Sequence, residues 1–119
     1  MQGRCFNVIP SQMLKGTLEG CILAVVSRHE TYGYEISQQL QRYGFGKITE
    51  GTIYPLLLRL EKNGWIQAVF RPSELGPKRK YYFLTPLGKL EYQKFVNHYQ
   101  ELTQAVGCLL ADMEQEETI

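Results

Sequence analysis

The sequence predicts a mainly helical fold that contains one small β-hairpin, and two observations lead to this prediction. Apolar residues recur at spacings of three and four over much of the 119-residue chain, which is the period of amphipathic helices. After Gly64 the pattern changes to aromatic and β-branched residues typical of strands, and the helical period returns after Pro86. We therefore expect three helices, a two-stranded hairpin and a long final helix, in that order.

The first two helices are predicted from their apolar spacing. In residues 17–28 the apolar side chains of Leu18, Ile22 and Val25 fall on one helical face. A polar segment interrupts the pattern, which resumes over residues 34–43. Gly44 and Gly46 then offer residues suited to a left-handed helix cap, so the second helix should end there.

The third helix has clear signals at both ends. Thr49 can cap its start, and Glu50 in the first turn complements the helix dipole. The helix should run to about Lys62, where Asn63-Gly64 stops it. Two strands are then predicted at residues 65–70 and 80–84, and residues 71–79 between them should form a flexible basic loop.

The final helix begins at Thr85-Pro86, because threonine offers a capping oxygen and proline suits the first helical position. If continuous to Met113, this helix would be about 42 Å long, longer than the small domain before it could cover. Its apolar residues are spaced alternately by three and four, which predicts a packing seam with a second copy of the chain; packing of this face back on its own domain is the alternative. The seam comprises Tyr92, Phe95, Tyr99, Leu102, Val106, Leu109 and Met113.

The length and the 44% hydrophobic content fit a single domain with accessory segments. We expect residues 1–12 to be an extension, 13–85 the helix-and-hairpin domain, 86–113 the dimerisation helix and 114–119 a disordered acidic tail. The apolar run at residues 21–26 is about a third of the length needed to span a bilayer, and residues 1–12 lack the apolar centre of a secretory signal. A cytoplasmic location and no membrane partner are therefore expected.

The cysteines and histidines do not suggest a metal site or another cofactor site. Cys5, Cys21 and Cys108 are too scattered for a disulfide framework or a metal knuckle, so we interpret them as idle thiols, with redox sensing through Cys5 or Cys108 as the alternative. His29 and His98 have no cysteine or carboxylate at ligand spacing. We expect no metal and no cofactor.

The net charge of +1 hides a division along the chain. Residues 1–90 carry twelve Lys or Arg against six Asp or Glu, a net charge of +6, whereas residues 91–119 carry one Lys against six acids, a net charge of −5. The basic part would attract a polyanion such as nucleic acid, and the acidic end would repel it. A basic stretch that is merely solvated is the alternative interpretation.

The predicted order of helix, helix, helix, strand, basic loop and strand is the plan of the winged helix-turn-helix, in which the third helix enters the major groove of DNA and the hairpin, or wing, touches the flanking backbone. Winged helices also serve as protein-binding modules. An interaction module without direct DNA binding is therefore the alternative function. An enzyme is not expected, because no nucleophile with a base, phosphate-cradling loop or metal constellation is present.

Five segments of the sequence form a recognisable set of motifs. They are Met13-Leu14-Lys15-Gly16-Thr17-Leu18-Glu19, Tyr32-Gly33-Tyr34-Glu35-Ile36, Gly51-Thr52-Ile53-Tyr54-Pro55-Leu56-Leu57, Arg59-Leu60-Glu61-Lys62-Asn63-Gly64-Trp65 and Arg79-Lys80-Tyr81-Tyr82-Phe83-Leu84-Thr85. In order and spacing these segments resemble the PadR family of transcriptional regulators, over roughly residues 13–110. The resemblance implies a homodimeric DNA-binding repressor, often relieved by a small aromatic effector.

The candidate DNA-binding residues lie at the start of the third helix, farther along it and on the wing. Backbone N–H groups and a hydroxyl at Gly51 and Thr52 suit a phosphate at the positive end of the helix dipole, and we expect Pro55 to be tolerated because it falls in the first turn. Tyr54 is a rigid phenol for which a core position is the alternative. Lysines and arginines contact phosphates, and such contacts do not distinguish one base pair from another. We therefore expect part of the specificity for an operator to come from DNA shape. The full set is Thr49, Glu50, Gly51, Thr52, Tyr54, Pro55, Arg59, Arg71, Lys78, Arg79 and Lys80.

The dimer interface is expected to combine the final helix with the first predicted helix through Leu18. Two reading helices must be about 34 Å apart to enter successive major grooves of a palindromic operator, and a long paired helix can set that spacing. Family members that sandwich planar drugs use a tryptophan on the final helix, but the only tryptophan here is Trp65. Tyr92, Phe95 and Tyr99 offer an alternative aromatic pocket for a small ligand, unless this stripe is simply core.

Overall fold

The computed structural model describes residues 9–118, with side chains as far as residue 115. Cys5 and most of the predicted extension therefore lie outside the described residues. The elements in chain order are α1 (Ser11–Leu14), α2 (Leu18–Arg28), α3 (Gly33–Arg42), α4 (Glu50–Lys62), β1 (Ile66–Ser73), β2 (Gly76–Leu84) and α5 (Pro86–Thr118). This order confirms the predicted winged helix-turn-helix with a long C-terminal helix. The single turn α1 was not predicted.

The core lies where α2, α3 and α4 meet the base of the hairpin. Ile22, Ile36 and Ile53, one from each helix, are fully buried, and Tyr82 of β2 closes the core from the hairpin side. Burying each such side chain contributes about 1.5–3 kcal/mol relative to leaving it in water. This core sets the position of α4 relative to the hairpin.

The ends of α3 and α4 are Schellman motifs, and each places a glycine in the left-handed region. Gly44 has φ 102° and Gly64 has φ 80°. After α4 the N–H of Trp65 donates to the carbonyl of Leu60 at 3.0 Å, which satisfies one of the last helical acceptors. The predicted stops of both helices are confirmed.

The wing differs from the prediction of a nine-residue flexible loop at residues 71–79. The two strands continue through this segment, with Arg71 paired to Arg79 and Ser73 to Gly76, and only two residues form the turn. A register shift between Arg71 and Ser73 accommodates Pro72, which has no N–H to donate. The prediction was wrong because ladder pairing in a two-stranded ribbon uses backbone groups and does not require the apolar side chains that the sequence pattern detects.

The link between α2 and α3 joins the hairpin through one backbone bridge. The N–H of Thr31 donates to the carbonyl of Tyr82 at 3.1 Å, and the N–H of Tyr82 donates to the carbonyl of Thr31 at 2.7 Å. The Thr31 hydroxyl donates to Glu35 at 2.5 Å, so this fully buried polar side chain is satisfied. The hairpin is therefore attached to the helices along one side.

Helix α5 starts as predicted and ends later. The N–H of Gly88 donates to the Thr85 hydroxyl at 2.9 Å, which is the expected capping bond. The helix continues unbroken to Thr118, so the predictions of an end at Met113 and of a disordered tail from residue 114 were wrong. Glutamate and glutamine are good helix formers and no Gly or Pro interrupts residues 114–118. Residue 119 lies outside the described part of the chain.

Only the first part of α5 packs against its own domain. Phe95 lies against Gly20 of α2 so closely that a Cβ built on Gly20 would be 2.2 Å from the ring. Every residue from 97 to 115 is exposed. The helix is about 50 Å long at 1.5 Å per residue, so more than half of it projects from the domain. No helix within residues 9–118 is long and apolar enough to cross a membrane.

Candidate nucleic-acid interface

One of the amides in the first turn of α4 is bonded within the turn itself. Thr49 occupies the N-cap position, as predicted, but its hydroxyl makes no capping bond to the backbone and lies 3.3 Å from the Thr52 hydroxyl. The N–H of Thr52 donates to the carbonyl of Thr49 at 3.0 Å. The Thr52 amide is therefore not available to a phosphate. The exposed polar groups at this point are the hydroxyls of Thr49 and Thr52 and the N–H of Gly51, for which no backbone acceptor is found within the described residues.

Pro55 does not fall in the first turn of α4, contrary to the sequence prediction. The helix begins at Glu50, so Pro55 is its sixth residue and stands inside the helix. A proline there cannot donate to the carbonyl four residues earlier, which belongs to Gly51. The Gly51 carbonyl thus lacks its helical donor, and Gly51 is exposed to solvent. The start of α4 presents this acceptor beside the two threonine hydroxyls.

Tyr54 packs against the domain and is also partly exposed at the surface of this site. Its ring lies against Gly33 at the start of α3, where a Cβ would be 2.9 Å from the ring, yet Tyr54 is 43% exposed. Burial raises the pKa of the phenol, and the charge of Glu50 and a hydrogen bond to it raise the pKa further. The phenol is therefore a hydrogen-bond donor throughout the neutral range.

Two of the predicted cations are tied to carboxylates about forty residues away. Arg59 of α4 pairs with Glu19 of α2. Arg71 of β1 pairs with both carboxylate oxygens of Glu30, with Nη2 to Oε1 at 2.8 Å, and the hydrogen bond lowers the pKa of Glu30 and raises that of Arg71. Both arginines remain exposed, but their guanidinium groups already hold elements of the domain together.

Lys80 is also partnered within the domain. Its ammonium lies 3.3 Å from Glu61 of α4 and 5.4 Å from the centre of the Tyr82 ring. Desolvation lowers the pKa of Lys80, but Tyr82 and Glu61 outweigh it, so the pKa is raised. This pair joins the end of α4 to the middle of the wing.

Lys78 and Arg79 near the wing turn are the cations that face outward. Among the described residues neither forms an ion pair, and both are exposed. The guanidinium carbon of Arg79 lies 4.2 Å from the centre of the Tyr32 ring, and a hydrogen bond with Tyr81 raises the pKa of Arg79. Because they are consecutive residues of β2, their side chains leave opposite faces of the ribbon and place positive charge on both, near the turn.

A groove of about 920 Å³ separates the wing from the starts of α3 and α4. Glu50 and Tyr54 line its helical wall, while Lys78, Arg79 and Lys80 line its wing wall. The structure thus brings five of the predicted site residues together. The other six lie outside this groove, and they are Thr49, Gly51, Thr52, Pro55, Arg59 and Arg71.

The groove also contains aromatic residues to which the sequence analysis assigned no role in the site. Tyr32 and Tyr34 enter from the start of α3, and Phe70 enters from β1. Tyr34 and Phe70 are 53% and 63% exposed, which is unusual for such large side chains. The only signal in the sequence is that Tyr32-Gly33-Tyr34 lies within a segment that resembles the family.

The predicted dimer residues divide into three groups. Leu18 is buried in the core of its own domain, so it is not a surface residue as the predicted interface requires. Tyr92 and Phe95 are half-buried against their own domain. The remainder are exposed along one face of α5, and they are Tyr99, Leu102, Val106, Leu109 and the last seam residue, Met113.

Side chains that ligate metals do not cluster within residues 9–118: no three His, Cys, Asp or Glu residues stand together there. Of the cysteines in this range, Cys108 is exposed and Cys21 is half-buried. Burial raises the pKa of the Cys21 thiol, which disfavours the reactive thiolate.

Comparison with known proteins identifies close relatives of this fold and sequence. A crystal structure of a PadR-like transcriptional regulator from Bacillus cereus matches with a TM-score of 0.75 and 47% identity, covering 83% of this chain and 96% of that one. The transcriptional regulator Rv3488 of Mycobacterium tuberculosis is 32% identical over 85 residues, which are 71% of this chain and 78% of the relative.

A more distant structure includes nucleic acid. Bacillus subtilis PadR in complex with operator DNA matches with a TM-score of 0.61 and 27% identity, over 66% of this chain and 46% of that one. The model of the PadR-like transcriptional regulator family matches residues 22–94, which is more than half of the sequence. The chain is therefore a member of the PadR-like family of transcriptional regulators.

Proposed function

We propose that this chain binds duplex DNA as a homodimer and represses transcription from a palindromic operator. The observation that carries the proposal is the groove that the start of α4 shares with the cationic residues of the wing, which are Lys78, Arg79 and Lys80. A reading helix and a wing must meet the same face of a duplex, and this arrangement satisfies that requirement. The Bacillus subtilis PadR structure with operator DNA supports the same assignment.

The distribution of charge suggests how affinity and specificity are divided. Lys78 and Arg79 contact phosphates, which supplies affinity with little sequence information. Thr49, Thr52 and Glu50 are the polar side chains at the start of α4, and a carboxylate such as Glu50 can accept from a cytosine amino group. Because so few side chains there can read bases, we expect DNA shape to contribute to the specificity of binding.

The dimer is supported by the exposed apolar face of α5. Leu102, Val106 and Leu109 are each at least 44% exposed, and together with their neighbours they form a continuous stripe beyond the domain. A second copy of α5 would bury this stripe symmetrically. Repression is what the family resemblance implies.

A small aromatic effector is the remaining part of the proposal. A groove of about 490 Å³ lies between α2, α3 and α5, a volume within the range of ligand sites. Apolar side chains, including Phe45, Tyr92 and Phe95, line it, and Arg28 and Arg42 stand at its edge. Tyr99, the third member of the predicted aromatic pocket, does not line this groove, and its ring stacks on Phe95 at 5.9 Å.

Selection of random duplex oligonucleotides on the purified protein tests the function. Enrichment of a palindrome with half-sites about one helical turn apart is expected for a dimer with two reading helices. Failure to enrich any duplex at low salt would favour the alternative, a winged-helix module that binds another protein.

The effector site is tested with a planar aromatic anion, anilinonaphthalene sulfonate, whose fluorescence rises in apolar grooves. We expect saturable binding that weakens in Val25→Trp, because the larger side chain fills the groove lined by Val25. Equal binding to both proteins would remove this groove as the site.

A further inference from the structure

Three consecutive residues between α2 and α3 each hold a different part of the wing. Glu30 pairs with Arg71 of β1, and Thr31 bridges the backbone of Tyr82 in β2. Tyr32 lies under Arg79, near the wing turn. Arg71 and Arg79 are cross-strand partners near the turn, and Tyr82 lies nearer the base, so the three contacts hold the hairpin at two levels.

The contact of Tyr32 with Arg79 has the geometry of a cation–π pair. The guanidinium carbon lies 4.2 Å from the ring centre, within the distance at which such pairs are favourable. The Tyr81 ring meets the Tyr32 ring edge-on with centres 5.2 Å apart, which limits the rotation of Tyr32. The Tyr32 backbone is constrained as well, because the neighbouring Thr31 is bridged to β2.

Stacking on a ring uses the flat face of a guanidinium and leaves the N–H groups at its edge for other partners. The side chain of Arg79 remains exposed in the groove that faces the start of α4. A long side chain that is already ordered loses less conformational entropy when it binds a partner. By contrast, no described ring or carboxylate holds Lys78.

We propose that Tyr32 is a positioning residue for DNA binding: its ring holds the Arg79 guanidinium in the orientation in which Arg79 contacts a phosphate. The inference rests on the DNA-binding function proposed above. Tyr32 acts through Arg79 and does not itself contact the duplex.

A double-mutant cycle on the selected duplex tests the inference. Tyr32→Leu removes the ring and should weaken binding about two- to fivefold, the range expected for an exposed cation–π pair. Tyr32→Phe keeps the ring face and should bind like the unmodified protein. In an Arg79→Ala background, Tyr32→Leu should have no further effect.

The matched control is Tyr34→Leu, which alters another tyrosine of the same groove that has no described contact with Arg79. Any effect of Tyr34→Leu should persist in the Arg79→Ala background. If Tyr32→Leu also has its full effect there, Tyr32 touches DNA directly or acts on the fold as a whole, and the inference is wrong.

A second measurement needs no DNA. The Nε–Hε resonance of Arg79 should carry a ring-current shift that Tyr32→Phe preserves and Tyr32→Leu abolishes. An Arg79 resonance that is indifferent to both changes would overturn the inference even if DNA binds. Absence of duplex binding by the unmodified protein, with the ring-current shift intact, would instead overturn the proposed function and with it the role of this contact in binding.

Discussion

The carbonyl oxygen of Trp65 occupies the space in which a side chain on Gly88 would begin, since a Cβ built on Gly88 would be 1.9 Å from that oxygen. The Thr85 hydroxyl donates to the carbonyl of Gly64 at 2.7 Å and accepts from the N–H of Gly88. The first turn of α5 thus lies directly on the end of α4 and the start of β1. This contact sets the direction in which α5 leaves the domain.

We expect Gly88→Ala to destabilise the protein by about 1–3 kcal/mol, towards the upper end, because the added methyl group meets backbone and the overpacking cannot be relieved by a side-chain rotation. Urea unfolding followed by circular dichroism measures the effect. Gly107→Ala is the control, since no atom lies within 4 Å of its Cβ position and the gain in helix propensity should stabilise by up to about 1 kcal/mol. Equal stability of the two variants would contradict the close contact at Gly88.

Replacing both Lys78 and Arg79 with alanine should weaken binding to every duplex and reduce the salt dependence. Two lost phosphate contacts lower the slope of log K against log salt concentration by about 1.8. Fluorescence anisotropy at several salt concentrations measures this slope. The double variant Lys15→Ala and Lys89→Ala removes the same charge from exposed sites outside the groove and should leave the slope nearly unchanged. An unaltered slope in the wing variant would show that these two residues do not contact phosphate.

The ion pair of Glu30 with Arg71 should make the attachment of the wing sensitive to acid. The hydrogen bond from Arg71 lowers the pKa of Glu30 from its ordinary value of 4.5. Because the folded-state value is the lower one, the pair stabilises the fold above pH 4.5, and this contribution is lost as the pH falls through the folded-state pKa. Carbon NMR of the Glu30 carboxyl group follows the titration.

Arg71→Gln should return the Glu30 pKa towards its ordinary value of 4.5. Lys78→Gln, which removes one positive charge elsewhere on the wing, should not change it. If the Glu30 pKa is the same with and without Arg71, the pair does not form in solution.

Placing charges on the exposed face of α5 should abolish the proposed dimer. The double variant Leu102→Lys and Leu109→Lys should sediment as a monomer at micromolar concentration. Its thermal midpoint should remain close to that of the unmodified chain in its monomeric state, since both side chains are more than half exposed in the single chain. Gln104→Lys with Ala111→Lys adds the same charge to the opposite face of the helix and should remain dimeric. A dimeric leucine variant would exclude this stripe as the interface.

Much of the fold was predictable because its signals are local. The stop after α4 depends on Gly64, whose left-handed conformation suits glycine, and the start of α5 depends on the Thr85 hydroxyl and on Pro86. The wing was harder to predict, because residues 71–79 carry no apolar alternation even though they are paired in the ribbon. The position of Pro55 was misjudged although the start of α4 was predicted correctly, since Pro55 is the sixth residue after the Thr49 cap and lies beyond the first turn.

The candidate site was only partly predictable, because its geometry depends on residues far apart in the chain. Glu30 and Arg71 are 41 positions apart, and Glu19 and Arg59 are 40 apart. No local pattern shows that these arginines have carboxylate partners, so they were grouped with Lys78 and Arg79. Leu18 was misplaced for the same reason, since its burial depends on how α2 packs among the other elements.

The sequence by itself determined the order of the main elements, the ends of α3 and α4, the start of α5 and the family, because apolar periodicity and short local motifs specify these features. Only the tertiary structure decided which cations hold the wing in place, which face outward, and that Tyr32 lies under Arg79. The physical reason is that helix and turn signals act between neighbours in the chain, whereas ion pairs and ring contacts depend on how the core orients α2, α4 and the hairpin relative to one another.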